Sequence, residues 1–160
     1  MAIRERQDEV QAAAATARAR GPLGERPMRV LLIEDNPGDA LLIRLALEQA
    51  GVRASCEVIA DGEDAAAFVA GEVRAERLPD LVLLDLDLPG RNGKELLGLI
   101  RGAPALRDVP VIVLTGSEST SDRIETAALG ANGYMLKAVR LEAFMRLGTQ
   151  IGELWCGLLR

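Results

Sequence analysis

From Met28 onward the chain alternates short, largely apolar runs, unbroken at 81–84, with longer stretches in which apolar residues return every three or four positions. The runs occupy 29–33 (RVLLI), 56–60, 81–84 (LVLL), 109–114 (VPVIVL) and 134–136. Side chains on a strand alternate between its two faces, so a run without polar alternation needs cover on both, as in a parallel sheet flanked by helices. The stretches between the runs read as helices. One covers 38–50, with Ala40, Leu41, Ile43, Leu45 and Leu47 as a broad apolar stripe and Gly51 as the stop. Asp61 caps the next, which runs through Val69 and ends at Gly71. The other three cover 94–101, 119–129 with Gly130 as stop, and 140–158; a charged connection, 71–79, leads into the third strand.

Five strands alternating with five helices predict an α/β fold. It is a doubly wound five-stranded parallel sheet in the flavodoxin-like order 2-1-3-4-5, with right-handed crossovers that place helices on both faces. That unit spans 28–160. Ahead of it, 3–20 is rich in Ala, Arg and Glu with only Ile3 and Val10 as large apolar residues, and Gly21, Pro22, Gly24 and Pro27 punctuate the join. So 1–27 reads as an N-terminal extension, a polar helix or a disordered segment followed by a linker, with little apolar surface to offset ordering entropy.

Composition narrows the function. With 49% apolar residues in 160, the chain can bury one core of ordinary size but not two. No apolar run approaches the ~20 residues of a membrane span, and the start, MAIRERQDEVQ, lacks the apolar centre of a signal peptide, so a cytoplasmic protein is expected. A net charge of −5 argues against nucleic acid as a partner. The absence of His removes the usual general base and the commonest zinc ligand. Cys56 and Cys156, far apart in sequence, are expected as reduced thiols and support no metal site.

Parallel strands deliver their carboxyl ends to one edge, where open α/β sheets carry their chemistry. There the sequence places Glu34 and Asp35 after the first strand, Asp85 after the third, Thr115 after the fourth and Lys137 after the fifth. The third strand is the most apolar and ends abruptly in DLDLPGRNG, with Asp85 and Asp87 two residues apart. Taken alone, Asp85 could be a helix cap or a solvated loop acid. Three carboxylates on one edge repel one another unless a cation sits among them. A hard divalent ion fits oxygen ligands, and Mg²⁺ fits best because it keeps several waters and takes only one or two carboxylates beside a phosphate. A hydroxyl from Thr115 and an ammonium from Lys137 are the groups that bind a phosphoryl group, and a carboxylate so placed can be the nucleophile that forms an aspartyl phosphate. Asp85 is the best placed.

Glu34-Asp35-Asn36, Asp85 with Pro89 and Gly93, Thr115-Gly116-Ser117, and Gly130-Ala131 leading to Tyr134 and Lys137 together resemble a two-component response-regulator receiver domain. The resemblance covers about 28–158. It implies that Asp85 is the phosphoacceptor, Asp35 a direct Mg²⁺ ligand, Glu34 a ligand through water, and Asp87 a ligand through its backbone carbonyl. Thr115 and Lys137 would bind the phosphoryl group, with Tyr134 the aromatic switch that follows Thr115. EDNPGDA at 34–40, DLDLPGRNGKELL at 85–97 and VLTGSES at 113–119 are similar to single-domain regulators that serve bacterial phytochromes. A sensor histidine kinase, with a phytochrome as the candidate, is the implied partner. One departure stands out: Ala138 follows Lys137 where the family has Pro, so a trans bond is expected there, a cis bond before a non-proline residue costing ~3–4 kcal/mol.

Two other readings compete. LLDLDLPG also resembles the D-x-D motif of haloacid-dehalogenase-type Mg²⁺-dependent phosphatases, although that family expects its nucleophile on the first strand and an acidic pair after the Lys. A degenerate receiver acting only as a binding module is the other. In the receiver reading the protein catalyses only its own phosphorylation and dephosphorylation and is no enzyme in the usual sense. No DNA-binding segment follows, so output is expected by protein contact or phosphotransfer. In the last helix Leu141, Phe144, Met145, Leu147, Ile151, Leu154, Trp155 and Leu158 spread over about half the circumference, more than the ~100° stripe that covering a sheet requires. The surplus predicts a second buried surface, and the resemblance implies that it is a homodimer face formed by that helix and strands four and five; Trp155 is expected to be a packing residue.

Overall fold

The computed structural model describes residues 26–158; of the N-terminal extension, 1–25 lies outside the described residues. Five strands, β1 (Met28–Ile33), β2 (Ala54–Ile59), β3 (Leu81–Leu84), β4 (Val111–Thr115) and β5 (Gly133–Leu136), form one parallel sheet in the order β2-β1-β3-β4-β5. The helices are α1 (Pro37–Gln49), α2 (Gly62–Ala70), α3 (Gly93–Gly102), α4 (Thr120–Ala128) and α5 (Leu141–Leu158), with a single 3-10 turn at Ala75–Arg77 inside the charged connection.

The apolar runs of β1, β3 and β4 are buried on both faces, which is why they carry no alternation. Val30 and Leu32 of β1, Leu81 and Leu83 of β3, and Ile112 and Leu114 of β4 join α1 and α5 in one core. Leu31, Ile33, Val82, Leu84 and Val111 point the other way, into a core closed by Ala65 and Val69 of α2 and Leu96, Leu97 and Ile100 of α3. The helices start where their caps dictate: Asn36, Asp61, Asn92 and Ser119 each accept a backbone N–H of the first turn. Helices α1 and α5 approach so closely that a methyl group at Gly148 would overlap the Ala46 carbonyl.

The opposite, amino edge of the sheet is tied by Asp80. Its carboxylate accepts the Arg29 N–H at 2.8 Å and both arms of the Arg26 guanidinium at 2.7 and 3.0 Å, while its carbonyl accepts the Trp155 indole N–H at 3.3 Å. Trp155 is buried there, as a packing residue. Arg101, at the end of α3, donates to the carbonyls of Gly130, Arg107 and Val109 and to Asn132 Oδ1, which also accepts the Val111 N–H. This holds the chain entering β5 and with it the register that carries Tyr134 and Lys137.

Three expectations are corrected. In α1 the buried stripe is Ala40, Ile43, Ala46 and Leu47, and Leu41 and Leu45 are exposed. At 100° per residue those two fall on a row beside the contact face, so apolarity alone overstated the stripe. Strand β2 begins at Ala54 rather than 56; as an edge strand it alternates exposed and half-buried residues at its start, so its first part carries no apolar run. Strand β4 begins at Val111, after Pro110, which has no N–H for the ladder, and takes in Thr115.

Candidate functional site

The parallel ladder continues one residue past the strands and so fixes the site's backbone. Asp85 N–H donates to the Ile33 carbonyl at 3.0 Å, Glu34 N–H to the Ile59 carbonyl at 3.0 Å, and Lys137 N–H to the Thr115 carbonyl at 2.8 Å. Glu34, Asp85, Thr115 and Lys137 are thereby brought to one edge. Gly93 closes the loop after β3: its N–H donates to the Leu86 carbonyl at 3.2 Å, and a Cβ there would lie 2.6 Å from Leu86 Cα and 2.7 Å from the Asp85 carbonyl oxygen. Only glycine fits that approach. The Lys137–Ala138 peptide is trans, as are all others among the described residues, and Lys137 still reaches the acids.

Lys137 is the electrostatic centre. Its Nζ lies 2.5 Å from Glu34 Oε2, 2.9 Å from Asp85 Oδ2 and 3.0 Å from Asp39 Oδ2. Glu34 is 2% exposed and Asp85 5%. Burial pushes the Glu34 carboxyl up to about 7, opposed by its bond to Lys137 and reinforced by the Asp85 charge. Burial would lower Lys137, but the bonds from Glu34 and Asp85 outweigh it and hold the ammonium above its ordinary value. One lysine therefore does not balance the acids around it.

Asp35 is exposed, yet oxygens of Glu34, Asp35 and Asp85 all lie within 4.8 Å of one another, a group able to hold a metal ion. Hard oxygen donors with unbalanced negative charge suit a hard divalent cation, and the raised Glu34 carboxyl marks the charge such a cation would relieve. Asp87 presents its N–H to Asp85 Oδ1 at 3.1 Å and turns an exposed side chain toward Thr115, whose hydroxyl lies 3.5 Å from Asp87 Oδ2.

Tyr134 is half-buried in β5. Its hydroxyl donates to the Ser117 carbonyl at 2.7 Å, and the Arg123 guanidinium stacks 4.8 Å over its ring. Ser117, which the sequence offered only as part of the Thr115-Gly116-Ser117 match and with no role of its own, is a hub. Its N–H donates to Thr115 Oγ1 at 3.2 Å and its hydroxyl to Asp122 Oδ2 at 2.7 Å. Asp122 in turn pairs with Lys94 at 2.6 Å, which also holds Glu125 at 2.8 Å, joining α3 to α4. Asp39 was missed too, because an acid in the first turn of a helix reads as a helix-dipole residue. Its position at the same sheet edge as Lys137 was the available signal.

A family model for the response regulator receiver domain matches residues 30–147. The probable methanogenesis regulatory protein FilR2 of Methanothrix harundinacea is 37% identical over 134 residues, 83% of this chain and 86% of that protein. Response regulator Rcp1 of Synechocystis sp. is 34% identical over 131 residues, 81% of this chain and 89% of that protein. Its Mn²⁺-bound form has been solved and superposes with a TM-score of 0.71 at 33% identity, over 81% of this chain and 94% of that one. The phosphorylated cyanobacterial phytochrome response regulator RcpA superposes with a TM-score of 0.72 at 33% identity over the same shares, 81% and 94%. The sheet order, the acidic edge and a family match spanning most of the domain agree: this chain belongs to the response-regulator receiver family.

Proposed function

We propose that this receiver takes a phosphoryl group from a sensor histidine kinase onto Asp85, with Mg²⁺ as its cofactor, and passes the signal on by protein contact or phosphotransfer. The observation that carries the reading is the position of Asp85: buried at the end of the central strand, 2.9 Å from Lys137 and inside the Glu34–Asp35–Asp85 cluster. In the transfer a carboxylate oxygen of Asp85 attacks phosphorus and an O–P bond forms. The donor's P–N bond breaks, and its electron pair stays on the departing imidazole nitrogen. Asp35 and Asp85 would hold the ion directly, Glu34 through water and Asp87 through its backbone carbonyl. When bound, the ion supplies positive charge against the phosphoryl oxygens.

Lys137 offers those oxygens a point charge and Thr115 a hydroxyl. Thr115 now faces Asp87 and accepts from Ser117; a phosphoryl group is a stronger, charged acceptor and draws the hydroxyl toward Asp85. That frees the Ser117 N–H, and Tyr134, bonded to the Ser117 carbonyl, follows into the vacated space. The result is a population shift over 115–136 rather than a new fold. The protein acts on no separate substrate in this scheme; it catalyses its own phosphorylation and dephosphorylation.

The likeness to the phytochrome response regulator RcpA supports a phytochrome as the sensor kinase. A homodimer is supported by exposed Ile124 on α4 and Leu141 on α5, which flank the edge strand β5. Strand β4 is fully covered, which favours β5 with α4 and α5 as that surface.

The test is intact-mass measurement after exposure to acetyl phosphate and Mg²⁺, with peptide mapping of the acyl phosphate. One phosphoryl group at Asp85 is expected, and Asp85→Asn should remove it while leaving the circular dichroism unchanged. Stoichiometric label retained by Asp85→Asn would overturn the assignment.

A further inference from the structure

The ammonium of Lys137 has three N–H donors and no acceptor. Three carboxylates take them: Glu34 at 2.5 Å, Asp85 at 2.9 Å and Asp39 at 3.0 Å. Glu34 and Asp85 belong to the phosphoryl and metal site already described, but Asp39 has no part in it. We infer that Asp39 is a positioning residue for Lys137, an anchor that holds the ammonium toward α1 in the unphosphorylated protein and competes for it with a phosphoryl group on Asp85. The inference rests on the reading of Asp85 as phosphoacceptor.

Both ends of the Asp39–Lys137 pair are fixed by backbone. Asp39 N–H donates to the Asn36 cap at 3.1 Å, and Ala40 N–H to the Asn36 carbonyl at 3.0 Å, so the first turn of α1 is set. Lys137 is set by the N–H it donates to Thr115. The ion pair thus spans α1 and β5 across 98 residues of sequence.

Once Asp85 is phosphorylated, its bond to Lys137 passes to a phosphoryl oxygen, and any further bond from the ammonium to the phosphoryl group requires Glu34 or Asp39 to give one up. The Glu34 side chain is 1% exposed and would lose its bond to the ammonium where no water replaces it. Asp39 is 28% exposed and sits in the first turn of α1, where water can receive it and the positive end of the helix dipole favours its charge. Asp39 is therefore the partner that lets go. Until it does, it keeps part of the lysine's charge away from Asp85 and adds a negative charge where an anionic donor must approach.

The experiment compares wild type, Asp39→Asn and Asp39→Glu by two readouts. The first is the rate of Asp85 labelling by acetyl phosphate at fixed Mg²⁺, followed by intact mass. Asp39→Asn should label about two- to fivefold faster, the scale of a part-exposed ion pair, and Asp39→Glu, which keeps the charge, should stay near wild type. An unchanged or lower rate in Asp39→Asn overturns the competition. The second is the Nζ resonance of Lys137 in the unphosphorylated protein, assigned by its loss in Lys137→Arg. It should move in Asp39→Asn and not in Asp39→Glu; a resonance that stays put overturns the anchor. Should wild type take no label at Asp85, the phosphoacceptor reading fails and the competition falls with it, while the Lys137 resonance still decides the anchor.

Discussion

At Glu34 two effects act in opposite directions on one carboxyl. Burial favours the proton, and the ammonium of Lys137 favours its loss; burial wins, lifting the group from 4.5 to about 7. A carboxyl raised in the folded state binds its proton more tightly there than in the unfolded chain. Its stabilising contribution is full below about pH 4.5 and is lost as pH rises through about 7. Metal-free protein should therefore lose stability between pH 5 and 8, by on the order of 2–3 kcal/mol from this group. Urea unfolding in EDTA, followed by the fluorescence of buried Trp155, reads this directly, and Glu34→Gln should flatten the slope. Added Mg²⁺ should restore stability at pH 8, since a ligand bound only by the native state shifts the equilibrium toward it. Identical pH profiles for wild type and Glu34→Gln would sink this account of the site's charge.

Elements decide which local rules become site geometry. Glycines at the start and middle of α3 make the contrast. A Cβ at Gly93 would collide with the Leu86 and Asp85 backbone, whereas one at Gly98 would meet nothing within 4 Å. Gly93→Ala should cost roughly 2–3 kcal/mol through overpacking, and by displacing the β3–α3 loop it should also slow labelling of Asp85. Gly98→Ala should be neutral or stabilise by up to ~1 kcal/mol, as alanine does inside a helix. Equal urea midpoints for the two variants would contradict the packing seen around Gly93. Both glycines look alike in the string LPGRNGKELLGLIRG. Their difference lies in a backbone contact with Leu86 that only the folded loop creates. The β4–α4 connection behaves the same way: the serine, aspartate and lysine of the Ser117–Asp122–Lys94 chain are ordinary polar residues in sequence, and their alignment between Thr115 and α3 appears only once two helices are placed side by side.

For the whole molecule, the two faces of the sheet are not equally finished. Helices α1 and α5 pack over one core, and α2 and α3 over the other, while α4 buries only Thr126 and leaves Ile124 64% exposed. On α5, Phe144, Leu147, Ile151 and Trp155 face the core, Met145, Leu154 and Leu158 are half-buried, and Leu141 is exposed. The apolar surplus read from the sequence is thus partly absorbed by the fold and partly left beside edge strand β5. Light scattering at tens of micromolar should report a dimer, and Ile124→Asp should convert it to monomer with little change in melting temperature. A monomeric wild type at that concentration would remove the dimer proposal without touching the phosphoacceptor reading.

By itself the sequence determined the strand order, the Asp61 cap and the set of acids, hydroxyl and lysine at the carboxyl edge. These follow from local rules: apolar runs need two covered faces, caps need side-chain acceptors, and parallel strands end on one edge. Tertiary structure alone decided which acids share Lys137, that Asp39 is one of them, and that burial holds Glu34 near neutrality. It also decided which apolar residues of α1 and α5 remain outside. Those outcomes depend on distances of a few ångströms between segments as far apart as Asp39 and Lys137, and on burial, neither of which any local pattern encodes.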